Sequence, residues 1–300
     1  GNHGHVRTVG ASLIPAGLTN PWTSGLRSDI AGPGIHGHDA SVSHSHDSTR
    51  AVSMIVYAKL VFTAVFWGGT FVAGRIVARE VGPFSAAFLR FLTASICLLL
   101  ITWRAEGRLP LPRVNLILPL ILLGLTGVFS YNVFFFMGLE RIEAGRASLI
   151  IANNPIFITL FSALIFRERL RPLAVLGVFL SLSGAVVVIT RGDLVSAFQG
   201  GVGWGELFIF FCVLSWVAYS LIGKTVLASL SPLVSVTWAS LLGMAFLAAP
   251  ACGEGLLPAI FHYSADSWAG ILYLGVFGTV AGFVWYYRGI REIGPARASQ

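Results

Sequence analysis

Eight long apolar stretches run between residues 57 and 288, and the last three replay the first three at an almost constant offset. Trp67, Arg75 and Pro83 recur as Trp216, Lys224 and Pro232, each 149 residues on. Gly124, Gly138, Ile142 and Arg146 recur as Gly275, Gly289, Ile293 and Arg297, each 151 residues on. A two-residue slip separates the registers, and the pattern is that of a duplicated membrane protein.

Composition agrees. The chain is 55% hydrophobic and 11% charged, with a mean hydropathy of +0.79, against roughly 25% charged residues in soluble domains. A soluble core is excluded. A hydrocarbon layer of about 30 Å requires spans of about 20 apolar residues, and candidates lie at 58–79, 84–103, 114–139, 147–166, 172–190, 205–225, 232–251 and 268–288. All are expected to be helices, because a strand would leave backbone groups unpaired in lipid. The net charge of +7 forms no basic stripe. Lys and Arg fall mainly between spans, which excludes nucleic acid as a partner and leaves membrane lipid as the surroundings.

Residues 1–53 differ in kind: rich in Gly, Ser and His, without periodicity, and read as a disordered tail. The tail holds six of the seven histidines, including His36, His38, His44 and His46. Such runs can bind metal, so a divalent metal transporter is the competing reading. A metal path needs ligands inside the membrane, yet the spans contain no His or Asp, and Glu206, near a span end, is their only clear carboxylate. Cys97, Cys212 and Cys252 are scattered and suggest neither a disulfide framework nor a metal cluster. No metal site and no cofactor is expected.

A cytoplasmic N-terminus puts twelve Lys and Arg in inside segments against five outside, the favoured arrangement. The link after the second span carries three arginines. Its counterpart, 252–267, carries none and offers Glu254, His262 and Asp266. The two copies therefore face opposite ways, which requires an odd number of spans per copy. The expected fold is an all-α membrane protein, an inverted repeat of five-helix bundles, with repeat 1 at 57–190 and repeat 2 at 203–300. Ser299 pairs with Ser148, which opens span 4, so two further helices are expected to follow the eight visible spans.

These residues carry a family resemblance. AVFWGGTFVAGRIV and VGPFSAAFLRFLTA in spans 1 and 2, FFFMGLERIEAGRASLIIANNPIF at the span 3–4 junction, FRERLRPLAVLGVFLSLSGAVVVI in spans 4 and 5, and REIGPARAS near the end resemble the EamA type of the drug/metabolite transporter superfamily. Within it, the aromatic-rich spans look most like the bacterial aromatic amino acid exporters. The resemblance implies ten helices in two bundles around a central substrate cavity, inner-membrane location and cytoplasmic termini.

Candidate site residues are those whose polar atoms need partners within apolar spans. Trp67, Trp216, Trp238 and Trp285 lie inside spans with Tyr131, Tyr219, Tyr286 and Tyr287, and their N–H and O–H groups need partners when buried. Asn132 in VFSYNVFF, with Phe135 one turn on, and Asn153 and Asn154 in IIANNPIF place amides in apolar surroundings, while Pro155 frees a carbonyl one turn earlier. Arg75 and Lys224 are expected to snorkel to the headgroups. Arg90, about five residues into span 2, has Ala239 as its repeat partner and an open role. Small residues at four-residue spacing, Gly177, Ser181 and Ala185 in span 5 and Ser235, Ala239 and Gly243 in span 7, mark close helix contacts.

The spans offer no nucleophile beside a base, so no enzyme is expected. A cavity lined by rings and amides, with little fixed charge, suits an amino acid with an apolar side chain or a similar small metabolite. Phosphorylated solutes would call for several midplane cations. Export by alternating access, uncoupled and in a monomer, is the reading drawn; a small-pore channel lacks a charged ring or filter-like loop.

Overall fold

The computed structural model describes residues 39–166, 176–177, 179–180, 183–184 and 203–300, with side chains from Met54 onward. The chain separates into units Gly1–Asp47 and Ser48–Gln300, and the bundle below is the second. Seven described helices are long and apolar enough to cross a membrane: α1 Met54–Val77, α2 Pro83–Glu106, α3 Val114–Leu139, α4 Ala144–Phe166, α5 Trp204–Val226, α6 Pro232–Gly253 and α7 Ala265–Ile293. The expected fifth span, 172–190, with its seam of Gly177, Ser181 and Ala185, lies largely outside the described residues. The first helix begins at Asp39, inside the stretch expected to be irregular, since a nucleated helix propagates at little cost per residue.

The duplication shows in how the helices start. Pro83 opens α2 and its repeat partner Pro232 opens α6, each at the position where a missing N–H leaves no bond unmade. Ser231 caps α6 by accepting from the Val234 N–H at 3.3 Å. Gly107 ends α2 in the left-handed conformation, φ 72°, which a residue without Cβ adopts freely.

Cross-contacts fix the relative direction of the copies. At one end of the pair α2 and α6, Thr102 Oγ1 lies 3.0 Å from Thr237 Oγ1. At the other, Glu254 just past α6 accepts from the Ser85 N–H at 2.7 Å. The two helices are repeat partners and run antiparallel. The pair of α1 and α7, which are not repeat partners, also runs antiparallel: Gly270 faces Val77, Gly278 faces Thr70 and Gly289 faces Leu60. Its counterpart, α3 against α5, pairs Gly138 with Ile209 and Gly127 with Tyr219. The protein is thus an all-α inverted repeat, and no strand occurs among the described residues.

Both copies carry the same irregularity at the same place. α3 widens to a π-turn over Gly124–Ser130 and α7 does so over Leu274–Ala281, with Gly124 and Gly275 as equivalent positions. Such turns release backbone carbonyls from the regular ladder and cluster at functional sites. Gly124 packs on α6, where a Cβ would lie 2.9 Å from the Gly243 nitrogen and 3.3 Å from the Ala239 oxygen. The small-residue seam of α6 is therefore a close helix contact, as its spacing indicates.

Candidate substrate cavity

α4 is interrupted between Ile151 and Asn154. Pro155 supplies no N–H, so the turn before it cannot close regularly. Asn153 turns back onto this break and donates from Nδ2 to the Leu149 oxygen at 2.9 Å and the Ile150 oxygen at 3.2 Å. Asn154 does the opposite: its Oδ1 is buried and has no hydrogen-bond partner among the described residues. Asn154 is among the residues lining a cavity of about 760 Å³ that runs along α1 from Tyr57 to Phe71, opposite Ser148–Pro155 of α4 and bordered by Arg297–Gln300.

Trp67 and Trp216 wall this cavity. Their rings meet edge to face with centroids 5.1 Å apart, and Tyr286 joins them at 5.3 Å from each. Trp67 Nε1 donates to the Gly278 oxygen in the α7 π-turn at 2.9 Å, so its partner is a carbonyl of the opposite copy. Tyr286 Oη lies 2.9 Å from Ser220 Oγ.

The cavity narrows into a recess of about 50 Å³. Trp67, Phe71, Ile151, Asn154 and Trp216 line both spaces. Tyr131, Phe283, Thr70 and Arg90 close the recess. Arg90 is 3% exposed. Its Nε donates to Thr279 Oγ1 at 3.0 Å and its Nη1 to Asn132 Oδ1 at 2.8 Å. Each acceptor is tied to a π-turn carbonyl: Asn132 Nδ2 donates to Gly127 and Val128 oxygens at 3.2 and 2.8 Å, and Thr279 Oγ1 donates to the Leu274 oxygen at 3.1 Å. One guanidinium thus joins the π-turns of both copies. These partners hold Arg90 inside the bundle, one of the two roles its depth leaves open, and set one fixed charge beside a hollow expected to carry little.

The remaining expected site residues divide. Tyr131 lines the recess and Trp216 the cavity. Phe135, 1% exposed, packs behind them against Phe71 at 5.5 Å and Tyr131 at 5.9 Å. Tyr219 backs Trp216 at 5.1 Å and fills the space a side chain at Gly127 would need. Two indoles lie elsewhere: Trp238 Nε1 donates to the Pro110 oxygen of the 107–113 link at 2.9 Å, and Trp285 packs on Phe66 at 5.9 Å. Arg75 Nη1 donates to the Leu139 oxygen and Lys224 Nζ sits 3.8 Å from the Phe166 ring centre, so both heads engage protein.

An inverted helical repeat enclosing a cavity at the junction of its halves defines a multi-pass membrane transporter. The chain belongs to the EamA-like transporter family, which it matches over residues 54–190 and 203–300. It is 26% identical over 244 residues to the uncharacterized transporter YyaM of Bacillus subtilis, covering 81% of this chain and 80% of that one. A protein of Streptantibioticus cattleyicolor named "Probable terminal-alkyne amino-acid exporter" is 32% identical, with 79% and 76% covered. The uncharacterized inner membrane transporter YedA of Escherichia coli is 27% identical, with 81% and 77% covered. One solved crystal structure shares the fold at a TM-score of 0.57, with 23% identity and 82% and 84% of the chains covered.

Proposed function

We propose that this protein exports amino acids with aromatic or other apolar side chains, or similar small metabolites, across a bacterial inner membrane. The observation that carries the reading is the 760 Å³ cavity walled by Trp67 and Trp216, with Asn154 lining both it and the recess beyond. Its size falls within the range of small-molecule sites, about 300–1,000 Å³, and its mix of rings with few polar atoms is what such sites use. The exporter relative of Streptantibioticus supports an amino-acid cargo.

The two copies meet at this cavity, so rocking one against the other about Trp67 and Trp216 would expose it alternately to either side. The N-terminus lies in the cytoplasm on the charge bias of the links. No carboxylate lines the cavity or recess among the described residues, which favours uncoupled release down the solute gradient. Proteoliposome flux of labelled phenylalanine with and without an imposed pH gradient tests both parts. Saturable flux indifferent to the gradient is expected. Strong acceleration by the gradient contradicts uncoupled transport, and a conductance without saturation indicates a pore.

A further inference from the structure

A guanidinium buried at membrane depth is expensive and marks a functional site when no acidic group neutralises it. Arg90 is in that position. Among the described residues the ion pairs are Arg141–Glu140, Arg146–Glu206 and Arg288–Glu292, and none includes Arg90. Nε and Nη1 are committed to neutral oxygens, Thr279 Oγ1 and Asn132 Oδ1. Among the described residues Nη2 makes no such bond, and it lies beside Gly278, where a Cβ would be 3.4 Å from it. Gly278 has no side chain to close that space.

We propose that Arg90 Nη2 binds the carboxylate of the transported solute, with the recess as the carboxylate subsite and the wider cavity receiving the side chain. This rests on the transporter reading and adds which end of the cargo is gripped, and where. The recess volume of about 50 Å³ has room for on the order of three water-sized groups, enough for a carboxylate. A phosphoryl group calls for several cations, and the recess has one. Asn154 is 8% exposed and its Oδ1 has no partner among the described residues. Lining the same recess, it accepts from the ammonium of an α-amino acid.

Pseudosymmetry separates this role from a purely structural one. The positions equivalent to Arg90, Asn132 and Thr279 are Ala239, Phe283 and Val128. The second copy therefore builds the same π-turn contact without any charge, Val128 packing directly against the Gly243 position. Holding the turns does not require an arginine. The charge serves one side of the axis alone, as a cargo with one anionic end and one apolar end demands.

The test uses the 300-residue protein in detergent, reading ligand-induced shifts of the thermal midpoint and of tryptophan fluorescence. The probes are L-phenylalanine, 3-phenylpropionate and 2-phenylethylamine. Counterflow in proteoliposomes is measured in parallel. Wild type is expected to bind phenylalanine and phenylpropionate, and to bind the amine about ten- to a hundredfold more weakly than phenylalanine, the span set by one hydrogen bond to a charged group. Arg90→Gln erases that preference and Arg90→Lys retains part of it. Equal binding of amine and amino acid by wild type overturns the anchor, and needs no variant to fold. A preference that survives in Arg90→Gln overturns it as well, and counterflow of phenylalanine then leaves the transporter reading standing. Carboxylate preference without counterflow upholds the anchor and removes transport, while no binding of any probe removes both.

Discussion

The indole of Trp67 meets that of Trp216 at 87°, with ring centres 5.1 Å apart, and the two residues occupy the same position in two antiparallel copies of one helix. A pair related in this way lies on the pseudo-two-fold axis, where the two copies meet and about which one can rock against the other with little change in the contact itself. The cavity is built around it.

Close packing at the π-turns gives the most direct stability prediction. A Cβ on Gly243 would lie 2.2 Å from Val128 Cβ and 2.8 Å from the Gly124 oxygen, while one on Gly253 meets nothing within 4 Å. Gly243→Ala should therefore destabilise by about 1–3 kcal/mol, the usual cost of overpacking, and Gly253→Ala should leave the thermal midpoint in detergent near wild type. Equal midpoints for the two variants would show that this contact is not tight.

Asn132 is the link between Arg90 and the α3 turn. Asn132→Leu removes an acceptor from a buried cation and a donor from two carbonyls, which predicts a loss of about 1–3 kcal/mol. The midpoint should fall while phenylalanine no longer raises it. A variant as stable and as responsive as wild type would remove Asn132 from the network.

Outside the membrane-spanning segments, Glu80 accepts from the Ser264 N–H at 2.9 Å and from the hydroxyls of Ser264 and Ser267, tying the link after α1 to the start of α7. The Ser264 and Ser267 hydroxyls, ahead of the backbone N–H, hold its carboxyl below the usual carboxylate range. A depressed value means the contribution is present above the ordinary carboxylate pKa and is lost as pH falls through the lowered one. Glu80→Gln should lower the midpoint at pH 7, with the gap from wild type closing only below the ordinary carboxylate range. A gap that closes near neutrality would assign the effect to another group.

Much of this was legible from residue spacing. The offset of 149 pairs Trp67 with Trp216, and opposite charge in equivalent links indicates antiparallel copies. Which rings face the cavity was not legible: in a membrane helix both faces are apolar, so periodicity does not separate Trp216 from Trp238 or Trp285. The role of Arg90 stays open in the sequence for a different reason. Its distance from the span end allowed an outward reach, and the π-turns that bring Asn132 and Thr279 to it leave no mark in hydropathy. Phe283 has no polar atom in need of a partner, so its place in the recess leaves no signal in the sequence.

The most direct test of the account is counterflow of labelled phenylalanine into preloaded proteoliposomes, comparing wild type with Trp67→Ala, Trp216→Ala and Trp285→Ala. Uptake by wild type and Trp285→Ala, with at least a tenfold loss in both cavity variants, is the predicted result. Equal uptake by all four proteins, or none by wild type, would contradict a solute path through the Trp67–Trp216 cavity.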